Sequence, residues 1–124
     1  MAKIRSSLLI IPLMLLSACA PGQQEQFIQG VWVLADESED TYFLWEFNNG
    51  NFAREQEIDK GQLNYALGRY RILESDEDSL TLELFDISGD RFTYENNAIE
   101  MTILIDLTQD TIQISSDLFK RLGP

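Results

Sequence analysis

Arg54 is the side chain whose type and position most invite chemistry in this 124-residue sequence. It ends the run Phe43-Leu44-Trp45-Glu46-Phe47-Asn48-Asn49-Gly50-Asn51-Phe52-Ala53-Arg54. Asn49-Gly50 supplies the positive φ angles of a type I′ hairpin turn, so Asn48 faces Asn51, Phe47 faces Phe52 and Trp45 faces Arg54. One face of that hairpin therefore carries Phe43, Trp45, Phe47, Phe52 and a guanidinium. A cation among aromatic rings must be paired or reach water, because burying it bare costs several kcal/mol. Two chemistries follow. Arg54 makes a structural ion pair, for instance with Glu83 or Glu100, or sits at a rim. Alternatively it clamps the carboxylate or phosphate head of a bound amphipathic molecule, with Phe43, Trp45, Phe52 and Tyr70 along the tail.

Other chemistries are excluded by composition. The chain has no histidine, hence no imidazole base, no Ser-His-Asp relay and no imidazole metal ligand. Its single cysteine, Cys19, rules out an intramolecular disulfide, a thiolate zinc cluster and a CxxC pair. Carboxylates are abundant: 21 acids against 9 bases give a net charge of −12, which repels nucleic acid. They gather in Asp36-Glu37-Ser38-Glu39-Asp40 and Glu74-Ser75-Asp76-Glu77-Asp78. These clusters fall in the first and fourth connections of the strand pattern below, at opposite ends of a meander, and make no joint site. Calcium needs six to eight converging oxygens, which neither short turn supplies, and Asp86-Ile87-Ser88-Gly89-Asp90 lacks a downstream bidentate glutamate. The clusters read as solvated turns. Acid catalysis of the glycosidase kind needs two carboxylates in one cleft, and no acid falls on an inward row. The expectation is a protein that binds and does not catalyse, with no catalytic residues, no metal and no cofactor.

The elements that must position Arg54 are strands. From Phe27 onward short alternating runs are broken every 8–12 residues by turn signals, the mark of an all-β barrel or sandwich. Strands are expected near 30–36, 41–47, 51–56, 65–73, 79–86, 91–95, 99–106 and 110–115, with 117–122 a ninth strand or a single helical turn. Every connection is short except 57–64, so consecutive strands are antiparallel neighbours. The expected fold class is a small eight-stranded antiparallel up-and-down β-barrel, because closure removes exposed edges. Alternation points Leu80, Leu82 and Leu84 inward, as it does Ile99, Met101, Ile103, Ile105, Ile112 and Ile114. It does the same for Ala66, Gly68, Tyr70 and Ile72, and Gly68 permits a sharp bend. A barrel of this size is either filled by its own side chains or holds one small ligand. Seven large inward residues (Trp32, Phe43, Trp45, Phe47, Phe52, Tyr70 and one of Phe92 or Tyr94) favour filling.

The front of the chain reads as an address. Lys3 and Arg5 precede the nine-residue apolar run Leu8–Leu16, too short to span a bilayer and interrupted by Pro12. The run closes on Leu16-Ser17-Ala18-Cys19, which resembles the lipobox of bacterial lipoproteins. That resemblance implies a signal peptide over 1–18 and lipidation (palmitate or similar acyl chains) at Cys19, with the bilayer as partner. Alanine at position 20 implies, by the same resemblance, the outer membrane facing the periplasm, or the outer face of a single membrane. Cleavage before Cys19 leaves seven bases and 21 acids, net −14, so lipid and not charge must hold the domain to an envelope surface. The polar stretch Ala20–Gln26 reads as a tether of at most about 24 Å. The domain plan is thus 1–18 signal peptide, 19–27 lipidated cysteine and tether, and 28–124 barrel.

Gly30-Val31-Trp32 is similar to the GxW that opens lipocalins, where the tryptophan plugs the closed end of an eight-stranded barrel and a late arginine stacks on it. Arg121 stands in the matching place, and the resemblance implies a Trp32–Arg121 cation–π contact. The chain is much shorter than an ordinary lipocalin and has no room after residue 115 for that family's outer helix. It looks more like the compact lipocalin-like (calycin-type) domains of bacterial lipoproteins. Two functions remain in view: a membrane-anchored binder of a small amphipathic or apolar ligand, or a non-enzymatic interaction module. The latter would be an envelope-complex accessory subunit or hydrolase inhibitor, with a filled barrel and an acidic surface for a basic protein partner. An interior cavity of about 300 Å³ or more with Arg54 on its wall separates the first from the second.

Overall fold

The computed structural model of the protein describes residues 22–36, 42–59, 61–89 and 98–123, with the backbone alone at 58 and 59. The apolar run, Cys19, Glu37–Asp40 and the expected strand at 91–95 with Phe92 and Tyr94 lie outside the described residues. A short helix α1 (Gln23–Ile28) precedes β1 (Gly30–Leu34), β2 (Phe43–Asn48), β3 (Asn51–Asp59) and β4 (Gln62–Ser75). Then come β5 (Ser79–Gly89), β6 (Ala98–Asp106), β7 (Thr111–Ile114) and β8 (Asp117–Arg121). Consecutive strands pair antiparallel and β8 returns to β1 through Trp32↔Arg121 and Leu34↔Phe119, so the sheet is a closed eight-stranded up-and-down barrel.

The hairpin registers follow from local chemistry. Asn49 and Gly50 adopt φ 48° and 89°, and β2–β3 pairs Asn48↔Asn51, Phe47↔Phe52 and Trp45↔Arg54 as the turn type dictates. The inward row Phe43, Trp45, Phe47, Phe52 is buried, and it joins Leu80, Leu82, Leu84, Ile103, Ile105, Ile112 and Ile114 in one core. Gly68 sits at a register shift between Leu67 and Arg69, where a Cβ would lie 2.6 Å from the Phe52 ring. The strand bends there because no side chain stands in the way.

Four expectations need correction. The segment 117–121 is a strand, the eighth of the ring, and among the described residues β5 pairs directly with β6 (Leu84↔Ile99, Phe85↔Ala98). The supposed connection 57–64 belongs largely to β3 and β4, paired Gln56↔Asn64 and Glu57↔Leu63. Asn64, on the inward row of β4, and Gln56, which faces it from the end of the expected third strand, are both polar, so the apolar–polar alternation that marks a strand is lost there. The turn expected at 86–90 is the end of β5: Asp86 takes φ 52° and the strand continues through buried Ile87 to Gly89. Finally, Gln23–Gln26 is helical where a tether is expected. Six residues do not sustain a helix alone; tertiary contacts hold this one.

Candidate functional site

The two ends of the barrel differ. At one end lie the β2–β3, β4–β5 and β6–β7 turns together with the start of β1 and the end of β8, and α1 lies across them. Ile28 is fully buried, and Trp32 Nε1 donates to the Ile28 carbonyl at 2.9 Å. Gln24 Nε2 donates to the Asp76 carbonyl (2.6 Å), while Gln29 accepts from the Asn49 amide (2.7 Å) and donates to the Tyr70 hydroxyl (2.8 Å). Arg121 completes the closure. Its Nη1 and Nη2 donate to the Gln29 and Phe27 carbonyls at 2.7 Å each, and its Nε reaches Asp110 at 3.1 Å. Its Cζ lies 4.3 Å from the Trp32 ring centre and 5.0 Å from that of Phe27, so the contact implied by the GxW resemblance is present.

The other half of the interior is hollow. A cavity of about 550 Å³ is lined by Phe43, Trp45, Phe52, Arg54, Gln56, Ala66, Leu84, Ile87, Ile99 and Met101. The large rings explain why filling fails. Trp45 stacks on Phe47 (5.7 Å, 5°) and Phe47 meets Tyr70 edge-on (5.7 Å, 86°), so the aromatic mass crowds toward the closed end. What remains opposite β2 and β3 is Ala66, Ile and Met, which leave space.

The cavity opens sideways. Glu100 and Thr102, which are exposed, lie on its wall with Ser115 and Asp117. Strand β7 pairs only with Ile103–Asp106, so the first half of β6 has no strand partner on that side among the described residues, and the interior meets solvent past it. The rim is acidic and hydroxylated. The wall behind it is apolar apart from Arg54 and Gln56.

Arg54 points inward and is half-buried. Its Cζ lies 4.6 Å from the Phe43 ring centre and 5.5 Å from that of Trp45, and Nη2 donates to Gln56 Oε1 at 2.6 Å. Of the carboxylates expected as ion-pair partners, Glu83 is bound instead to Arg71 on the outer face (2.6 Å). Beside the cavity two buried polar atoms, Trp45 Nε1 and Asn64 Oδ1, have no hydrogen-bond partner among the described residues. Such atoms cost about 1–3 kcal/mol each. Asn64 is opposite Gln56 across β3–β4, so the polar groups cluster at the mouth end of these strands.

The structure thus brings Phe43, Trp45, Phe52 and Arg54 onto one cavity wall and places Tyr70 apart from it. That residue shares their face, but it lies toward the closed end, where its hydroxyl is held by Gln29 and its ring by Phe47. Gln56 was missed in the sequence, although it follows Arg54 by two residues on the same strand face. The contributions of Ile87, Ser115 and Asp117 depend on strand ends that the alternation does not mark. Trp32 and Arg121 belong to the closed end. Among the described residues no three carboxylates converge as a metal site, and no helix is long and apolar enough to cross a membrane.

The architecture is compatible with a lipocalin-like fold. Compared with family models, curated proteins and solved structures, the chain matches none.

Proposed function

We propose that the protein is an envelope lipoprotein, held to a bilayer by acyl chains on Cys19, whose barrel binds one small amphipathic molecule without transforming it. The observation that carries the binding reading is the hollow of about 550 Å³, whose back wall is apolar apart from the Arg54 guanidinium and Gln56, behind a rim of Glu100, Thr102, Ser115 and Asp117. Space of that size suits a drug-sized ligand, with few convergent polar groups setting its orientation. The head lies against Arg54 and Gln56, within reach of the groups around Trp45 and Asn64, and the tail lies along Phe43, Phe52, Ile99 and Met101. A filled barrel acting through its acidic surface fits this interior less well. The lipobox resemblance supports the anchor, and with alanine at position 20 it supports the periplasmic face of an outer membrane.

Palmitate and its methyl ester test the binding reading. Trp45 lies on the cavity wall and Trp32 beneath α1, so a ligand changes the fluorescence of the first. Palmitate is expected to bind the wild type more tightly than the ester does. Arg54→Met, which keeps the length and loses the charge, is expected to weaken palmitate roughly 10- to 100-fold and leave the ester nearly unchanged, since a hydrogen bond to a charged group contributes about 1.5–3 kcal/mol. No response from either molecule, or equal affinity for both in wild type and variant, removes the proposal.

The anchor has its own measurement. In a bacterial host that processes lipoproteins, the wild-type chain is expected in the membrane fraction and Cys19→Ser in the soluble one. If the serine variant remains in the pellet, acylation of Cys19 is not what holds the protein there.

A further inference from the structure

We infer that the closed end of the barrel, at the corner carrying Leu107 and Leu122, is the surface apposed to the bilayer, and that the lateral opening of the cavity stands clear of it, so ligand is exchanged on the aqueous side. This rests on the proposed acylation of Cys19.

Chain length makes the first argument. Only Ala20 and Pro21 lie between Cys19 and Gly22, three residue steps with a reach of about 10 Å when fully extended. From Gly22 onward the chain is tied down: α1 is fastened to the β4–β5 turn through Gln24 and Ser75 (3.3 Å), and its end is fastened by Arg121 and Gln29. An anchored Cys19 therefore draws the closed end to the lipid. The nine residues of β6 span about 30 Å along the strand and, at barrel tilt, about 20 Å of height. The upper end of β6 stands that far above the headgroups, and Arg54, Gln56 and Ser115, three to five residues along their strands from the closed-end turns, stand roughly half as far.

Exposed leucines make the second. Leu107, in the β6–β7 turn, is 53 % exposed and Leu122, beyond β8, is 57 % exposed. Both belong to the closed end, and the ion pair between Asp110 and Arg121 ties their segments together. Leu63 and Leu118 toward the mouth are about as exposed, so the leucines do not choose the end; at the end that the tether chooses, Leu107 and Leu122 give the lipid an apolar contact. The rest of that end carries Glu74, Asp76, Glu77 and Asp78, which headgroup phosphates repel. Contact is accordingly confined to the leucine corner, and the barrel stands on the membrane instead of lying along it. A ligand leaving past Glu100 and Asp117 meets water, not the bilayer that holds the protein.

The test uses the acylated full-length chain in vesicles of phosphatidylethanolamine with a minor share of phosphatidylglycerol. Because Cys19 is blocked by lipid, a fluorophore attaches only to an introduced thiol, in Leu107→Cys, Leu122→Cys or, at the mouth end, Leu63→Cys, all at exposed positions. Brominated lipids are expected to quench the labels at 107 and 122 several-fold more than the label at 63. If the chain floats with the vesicles and the label at 63 is quenched as much as the others or more, the orientation is overturned and the anchor stands. If the chain does not float with vesicles, anchor and orientation fall together.

Discussion

Gly89→Ala is expected to lower stability by about 3 kcal/mol or more, seen as a large drop in thermal and urea midpoints. Gly89 holds φ 149°, in the region that side-chain-bearing residues avoid. A Cβ at Gly89 would overlap the Tyr65 carbonyl oxygen and stand 2.8 Å from Ala66 Cα. Both are backbone atoms of β4, so no rotamer change relieves the collision. The strands must separate where Ala66 and Gly89 pair, and that is cavity wall. Gly50→Ala is the comparison: its φ is 89° but nothing lies within 4 Å of the added carbon, so only backbone strain opposes it, about 1 kcal/mol. Equal midpoints for the two variants would mean that β4 and β5 do not approach as closely as described.

Arg121→Ala is expected to cost about 3 kcal/mol and to release α1 from the closed end. The side chain is 29 % exposed and supplies hydrogen bonds to two carbonyls, an ion pair with Asp110 and a cation resting on two rings. Hydrogen bonds from a charged donor contribute about 1.5–3 kcal/mol each, and removal leaves the Phe27 and Gln29 oxygens without their donor. Arg121→Lys rescues little, because one ammonium cannot reach both carbonyls and Asp110 in the geometry of a planar fork. Amide exchange reads the local effect. Residues 23–29 are expected to exchange much faster in the alanine variant while the β2–β3 hairpin keeps its protection. Unchanged exchange over 23–29 would show that Ile28 and Gln29 hold the helix unaided. Because the loss is confined to the closed end, palmitate binding at the mouth should persist in the fraction that remains folded.

These two residues mark different depths of legibility. Arg121 was visible in the sequence only through the resemblance of Gly30-Val31-Trp32 to the GxW that opens lipocalins, and the same resemblance named its partner ring. Its carbonyl partners were not, because they belong to a helix whose residues carry no apolar period. Gln23–Gln26 is polar throughout; it is held through Gln24 by Asp76, and the chain just after it is held at Phe27 and Gln29 by Asn49, Tyr70 and Arg121, which are brought close only when the ring shuts. The role of Gly89 was hidden for a similar reason: the strain belongs to a pair of strands, and Asp86–Asp90 taken alone reads as a turn.

By itself the sequence determined the β class, the meander, the β2–β3 register and the inward aromatic row, since each rests on a period of two residues or on the φ angles one turn demands. It likewise placed Arg54 among Phe43 and Trp45. Only the tertiary structure decided whether that row fills the barrel. The answer depends on where along the axis each ring lies and what stands across from it, and sequence spacing records the face of a side chain but not its neighbour on a distant strand. Stacking of Trp45 on Phe47 and of Phe47 against Tyr70 draws the rings toward α1, while Ala66 and the short β7 leave the far end open. A chain rich enough in aromatics to fill an eight-stranded ring thus keeps a cavity.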